Sequence, residues 1–143
     1  MNSELFDRGC QILQQQPFSV LLGAQLNALD PGSAELQLTV RAEHLQQHGF
    51  VHGGVVSYLA DNALTYAGAG GLQRYDVVTS EFKINYLRPA LGDTLIARAT
   101  VHYAGKTQAV CRCDIYTVHG GGEKICATAQ GTIVPIGASP ATG

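Results

Sequence analysis

The segment after His52 constrains this chain more than any other. It opens on Gly53-Gly54 and continues Val55-Val56-Ser57-Tyr58-Leu59-Ala60-Asp61-Asn62-Ala63-Leu64-Thr65-Tyr66-Ala67. The spacing predicts a helix over roughly 53–69, ended by Gly68, Gly70 and Gly71. A helix that merely covers a core carries Lys and Glu on its far side. This one has neither, and Asp61 is its single charge. A helix that is apolar on most sides has to be wrapped, so the rest of the chain must supply a wrapping surface.

That surface reads as strands. Ala34, Leu36, Leu38 and Val40 alternate with Glu35, Gln37, Thr39 and Arg41, the pattern of a half-buried strand. Residues 77–87 put Val78, Phe82, Ile84 and Tyr86 on one face, and 94–103, 107–118 and 124–134 are three more alternating runs. Gly105-Lys106 and Gly120-Gly121-Gly122 lie between them as hairpin turns. Upstream, 4–15 reads as a short amphipathic helix stopped by Pro17. Residues 20–27 read as a strand, and Asp30-Pro31-Gly32 as a turn. The order predicts an α+β fold: one long antiparallel sheet wrapped around a central helix at about residues 53–69, with a short N-terminal helix. A single domain is expected over 1–143, with its core at about 18–135 and a flexible tail over 136–143.

Composition narrows the function classes. Hydrophobic residues make up 45% and charged residues 14% of 143, a low charge density that points to surface buried in an oligomer. A net charge of −2 leaves no basic footprint for nucleic acid. No run approaches the roughly 18 apolar residues of a membrane span, and the acidic N-terminus is unlike a signal peptide. Cys10, Cys111, Cys113 and Cys126 form no Cys-x-x-Cys pair and read as buried reduced thiols of a cytoplasmic protein.

Ser57, Asp61 and Thr65 fall four apart and share one stripe of the helix, with Gly54 and Gly68 on the same side. The stripe is small and polar, which suits a pocket or a subunit interface. An acid in such a place is either satisfied by hydrogen bonds or poised for chemistry. The glycines upstream favour chemistry: a helix start at His52-Gly53-Gly54 presents unpaired N–H groups and a positive dipole end to a developing oxyanion. His44, His48 and His52 have the spacing of a helical metal site, but Gly49 and Gly53 make that stretch a poor helix, so no metal is expected.

The run 46–54, Gln-Gln-His-Gly-Phe-Val-His-Gly-Gly, followed by Leu59-Ala60-Asp61, resembles the hotdog-fold acyl-CoA thioesterases of the phenylacetate-degradation (PaaI-like) type. Asn85-Tyr86-Leu87-Arg88-Pro89-Ala90 and Gly105-Lys106-Thr107 are similar to later segments of the same family. The specific part is the glycine pair with an acid nine residues after the His. Two positions mix branches. Gln46 and Thr65 resemble the aryl-CoA (4-hydroxybenzoyl-CoA) thioesterase branch, which uses Glu where this chain has Asp61.

The resemblance implies roles. Gly53 donates its N–H to the thioester carbonyl, and His52 orders that loop with Gln46. Asp61 is the nucleophile or the general base, with Thr65 and Thr79 around it and Thr79 holding water near the acid. Gly54, Ser57, Arg88, Pro89 and Lys106 fall to the substrate and its CoA, Arg88 and Lys106 as cations near the phosphates and Arg74 behind them. No cofactor is implied. The partners are an acyl-CoA and further copies of the chain, as a homodimer or homotetramer in which Asp61 faces the Gly53 loop of another subunit. The other readings are an acyl-binding module without catalysis, or a hotdog hydratase or dehydratase. The first would usually carry a basic DNA-binding segment, which is lacking. The second needs a His and an acid poised together, and only His52 is near.

Overall fold

The computed structural model describes residues 3–137. Six strands form one antiparallel sheet: β1 (Ala24–Asp30), β2 (Ser33–Thr39), β3 (Val77–Tyr86), β4 (Thr94–Ala104), β5 (Ala109–His119) and β6 (Gly122–Pro135). Their order across the sheet is β1-β2-β4-β5-β6-β3, which leaves β1 and β3 at the edges. The central helix α3 (Gly53–Leu72) packs on all six strands. No residue from Val55 to Leu72 is fully exposed. Leu36, Leu38, Leu59, Leu64, Leu95, Ile115 and Ile133 fill the space between helix and sheet. Burying such side chains stabilises the fold by about 1.5–3 kcal/mol each. A long antiparallel sheet closed around one helix is the hotdog architecture expected above.

α3 runs further than expected. Gly68, Gly70 and Gly71 lie inside it, and it ends at Leu72 with Gln73 in the left-handed conformation (φ 56°). These glycines permit close packing. A Cβ on Gly68 would stand 2.5 Å from Ile133, and one on Gly70 would stand 2.6 Å from the backbone nitrogen of Gly32.

The N-terminal helix α1 (Ser3–Gln14) is as predicted, but Pro17 opens a second helix, α2 (Pro17–Leu22), instead of only stopping the first. Proline suits a first helical position, where its missing N–H is not needed. The strand expected over 20–27 therefore begins only at Ala24, after Gly23 reverses the chain at φ 86°. Both short helices reach tyrosines of α3, and α1 packs on β1. The Tyr66 hydroxyl donates to the Gly9 carbonyl at 2.7 Å, and Tyr58 meets Phe18 edge-to-face at 5.3 Å.

β3 carries a bulge between Thr79 and Glu81. The extra residue switches the inward set, so Val77 and Thr79 share a face with Phe82 and Ile84. Val78, expected on the same face as Phe82 and Ile84, lies on the other and is 46% exposed. The sheet's turns fall where the glycines placed them, at 105–108 and 120–121. Of the tail expected over 136–143, residues 138–143 lie outside the described part. No helix among the described residues is long and apolar enough to cross a membrane.

Candidate functional site

Asp61 sits half-buried in the middle of α3, and the bulge in β3 turns Thr79 towards it. The Thr79 hydroxyl donates to Asp61 Oδ1 at 2.5 Å. Thr65, one turn further along, donates to the Asp61 carbonyl at 2.8 Å and lies 3.0 Å from Thr79 Oγ1. Three of the predicted residues therefore meet. No partner for Asp61 Oδ2 is found among the described residues, so one carboxylate oxygen is anchored and the other is open to a water.

The start of α3 is a second, separate cluster. His52 is its N-cap, with φ −58° and ψ 134°, and its Nδ1 accepts the Gly54 N–H at 2.8 Å. The His52 carbonyl accepts the Val55 N–H at 2.9 Å. That leaves the Gly53 N–H as the unclaimed donor of the first turn among the described residues. The expectation of two open glycine N–H groups narrows to one, because the His52 ring takes the other. Ser57, also half-buried, donates to the Gly54 carbonyl at 3.2 Å.

A cavity of about 400 Å³ opens beside Gly53, lined by Gln46, Gly53, Tyr86, Arg88 and Pro89 among others. Gln46 shapes its rim from the loop. Its N–H donates to the Phe50 carbonyl at 2.8 Å, and its side chain accepts the His48 N–H. Arg88 is exposed at the mouth. In the sequence Tyr86 stands only within a strand motif, yet its hydroxyl donates to the Gly53 carbonyl at 3.1 Å. A Cβ on Gly53 would lie 3.3 Å from that ring. The signal available in sequence was an aromatic ending the strand two residues before Arg88, which alone does not name its partner.

The two clusters do not meet within one chain. Gly53 and Asp61 lie eight residues apart on the same helix, about 12 Å at 1.5 Å per residue. Lys106 is further away. Its turn follows Ala104, which packs against Gly71 at the opposite end of α3, about 27 Å from Gly53. Arg74 is held in an ion pair with Asp76. His44 is 1% exposed; its Nδ1 accepts the Arg41 N–H at 2.9 Å, and its Nε2 lies 2.9 Å from the Leu22 carbonyl. That ring braces the loop against α2. Burial raises the thiols of Cys111 and Cys126 to about 11, so both stay protonated at neutral pH.

The thioesterase superfamily profile matches residues 48–124, more than half of the chain. The acyl-coenzyme A thioesterase PaaI of Escherichia coli is 40% identical over 96 residues, which span 66% of each chain. In structure, a thioesterase family protein from Silicibacter pomeroyi superimposes with a TM-score of 0.85 at 36% identity, covering 91% of this chain and 96% of that one. The E. coli PaaI structure gives 0.78 at 31% identity and covers 94% and 98%. The fold, the helix-borne acid and the glycine turn agree with these likenesses: the chain belongs to the thioesterase superfamily, a family of thioester hydrolases on the hotdog fold.

Proposed function

We propose that this chain is an acyl-CoA thioesterase whose active sites form between subunits of a homo-oligomer, a dimer or a pair of dimers. One observation carries this. An anchored carboxylate and an unclaimed helix-start N–H lie about 12 Å apart on one rigid helix. Both have to reach the same thioester carbonyl, and a group of that size cannot span the gap. A second copy of the chain brings its Gly53 to this Asp61. The low charge content and the open edge of β3 agree with such a partner. The likeness to PaaI supplies the substrate class.

In this reading Thr79 holds Oδ1, so Oδ2 takes the proton of a water as its oxygen attacks the carbonyl carbon. The carbonyl oxygen becomes an oxyanion against the partner's Gly53 N–H, at the positive end of the partner's α3. The tetrahedral carbon then expels the CoA sulfur, which takes up the proton, and free acid is left. Thr65 steadies the backbone behind Asp61. His52 and Gln46 hold the Gly53 turn, while Gly54 and Ser57 complete that first turn of helix. Arg88, with Pro89 fixing the chain after it, lies at the cavity mouth to meet CoA phosphate. Lys106 joins that role from the other subunit.

The test is release of free thiol from a panel of aryl- and medium-chain acyl-CoAs by wild type and Asp61→Ala. Asp61-dependent release is expected. A folded wild type that releases no more thiol than Asp61→Ala from every member would end the reading.

A further inference from the structure

We propose that His44 is a positioning residue for the hydrolysis: it aims the Gly53 N–H through the backbone of the loop before α3. This rests on the role given to Gly53 above. His44 ends a single 3-10 turn, Ala42–His44, eight residues before His52. Its ring is 1% exposed, and no step of the hydrolysis uses it. A buried imidazole has to satisfy both nitrogens, and this one does. Nδ1 accepts the Arg41 N–H at 2.9 Å, so the ring proton sits on Nε2, which donates to the Leu22 carbonyl at 2.9 Å. The Arg41 guanidinium lies 3.2 Å from that nitrogen and donates to the neighbouring Leu21 carbonyl at 2.7 Å. The last carbonyls of a helix lack partners within it, and these two side chains supply them for α2. One ring nitrogen thus ties the turn to α2, and the other closes the turn on itself.

The backbone of His44 carries that hold onward. Its carbonyl accepts the His52 N–H at 2.8 Å. Further in, Leu45 bridges Val51, and the Gln46 N–H donates to the Phe50 carbonyl at 2.8 Å. The loop is a short antiparallel stub with His44 and His52 at its open end. His52 is therefore held at three points. Its carbonyl takes the Val55 N–H at 2.9 Å and its Nδ1 takes the Gly54 N–H at 2.8 Å, both within the first turn of α3. Its own N–H is held from outside the helix, by His44.

The next peptide carries the Gly53 N–H, so a turn of the His52 backbone swings that donor away from a thioester oxygen. An oxyanion donor works at about 2.7–3.1 Å from the developing charge, and a misplacement of about 1 Å already lowers the rate. A ring that served only to dock α2 would need the Leu22 bond alone. The bond to the Arg41 N–H fixes the very backbone whose carbonyl holds His52.

The experiment measures kcat and KM for His44→Leu and His44→Asn, each in the wild-type chain and in a Gly53→Pro chain. The substrate is the acyl-CoA of the panel above that wild type hydrolyses fastest. Leucine drops both ring bonds. Asparagine keeps an acceptor for the Arg41 N–H and is too short to reach Leu22. In the wild-type chain kcat should fall on the order of tenfold for His44→Leu and about threefold for His44→Asn, with KM little changed. Proline at 53 has no N–H to misplace, so in the Gly53→Pro chain both substitutions should leave the residual rate nearly unchanged. A brace that only holds the fold would lower the rate by the same factor in both chains, and that result overturns the proposal. So does a folded His44→Leu that keeps wild-type kcat, or a Gly53→Pro chain as fast as wild type. If His44→Leu does not fold, His44→Asn decides by the same comparison. In each of these cases Asp61-dependent thiol release leaves the thioesterase reading standing. A folded wild type without such release ends that reading and this proposal together.

Discussion

Gly53 and Gly54 open α3, and Gly68, Gly70 and Gly71 lie near its other end. The same residue serves two different ends. At the start, the missing side chains make room for Tyr86 and His52, and the Gly53 N–H is without a partner among the described residues. Near the end, the missing side chains let the helix touch Ile133 on β6, the Pro31–Gly32 turn and Val101 on β4. In the proposed mechanism the glycine pair before the helix is functional, whereas the glycines late in the same helix serve packing. The two groups should separate cleanly when substituted, the first changing rate and the second changing stability.

The largest effect is expected from Gly53→Pro. Proline is tolerated at the first helical position, and the preceding residue, His52, already has the extended backbone that proline requires (φ −58°, ψ 134°). The substitution removes the proposed oxyanion donor and spares the helix. Steady-state kinetics should show kcat falling on the order of 10²-fold or more. A variant that stays folded by circular dichroism yet keeps wild-type kcat would break the functional half of the comparison.

Gly70→Ala tests the other half. Its Cβ would meet the Gly32 backbone at 2.6 Å, and backbone yields less readily than a side chain. Overpacking of this kind costs about 1–3 kcal/mol, against a gain of about 1 kcal/mol in helix propensity. With the clash on backbone the cost lies in the upper part of that range, so denaturant unfolding should show a net loss on the order of 1–2 kcal/mol. An unchanged midpoint would mean that these glycines do not set the packing distance.

Much of this was open to sequence reading, and the exceptions have physical causes. The strands that alternate cleanly, such as Ala34–Leu38, were placed within a residue or two because each has one wet face and one dry face. The strand expected at Val20-Leu21-Leu22 is helix instead because a short apolar run carries no period, and what decides it is the turn at Gly23. Val78 departs from the alternation because a bulge is a one-residue insertion with no fixed signature. The helix runs past its expected end because Gly68, Gly70 and Gly71, which look like a stop, pack against Ile133, Gly32 and Val101. At the site, helix spacing sets Thr65 beside Asp61 and the family resemblance sets Thr79 near it, and the fold brings the three within hydrogen-bond reach. The capping of Gly54 by His52 and the Tyr86 contact with Gly53 join positions that only the folded chain brings together.

A smaller effect sharpens the middle of α3, between the two glycine groups. Thr79→Val keeps the shape and removes the bond to Asp61 Oδ1. A hydrogen bond to a charged group contributes about 1.5–3 kcal/mol, so kcat should fall by at least about tenfold. The fall should be smaller than for Gly53→Pro. An undiminished kcat would show that Asp61 does not depend on Thr79 for its position.

The central claim is that Asp61 and Gly53 act together only across two subunits, and mixing subunits tests it most directly. Asp61→Ala and Gly53→Pro chains, each inactive alone, are unfolded together, refolded at equal ratio and assayed. A hybrid pair holds one site built from an intact Asp61 and an intact Gly53, so random pairing should restore about a quarter of the wild-type rate. Hybrids that form and stay inactive would place both groups in one chain and contradict the account.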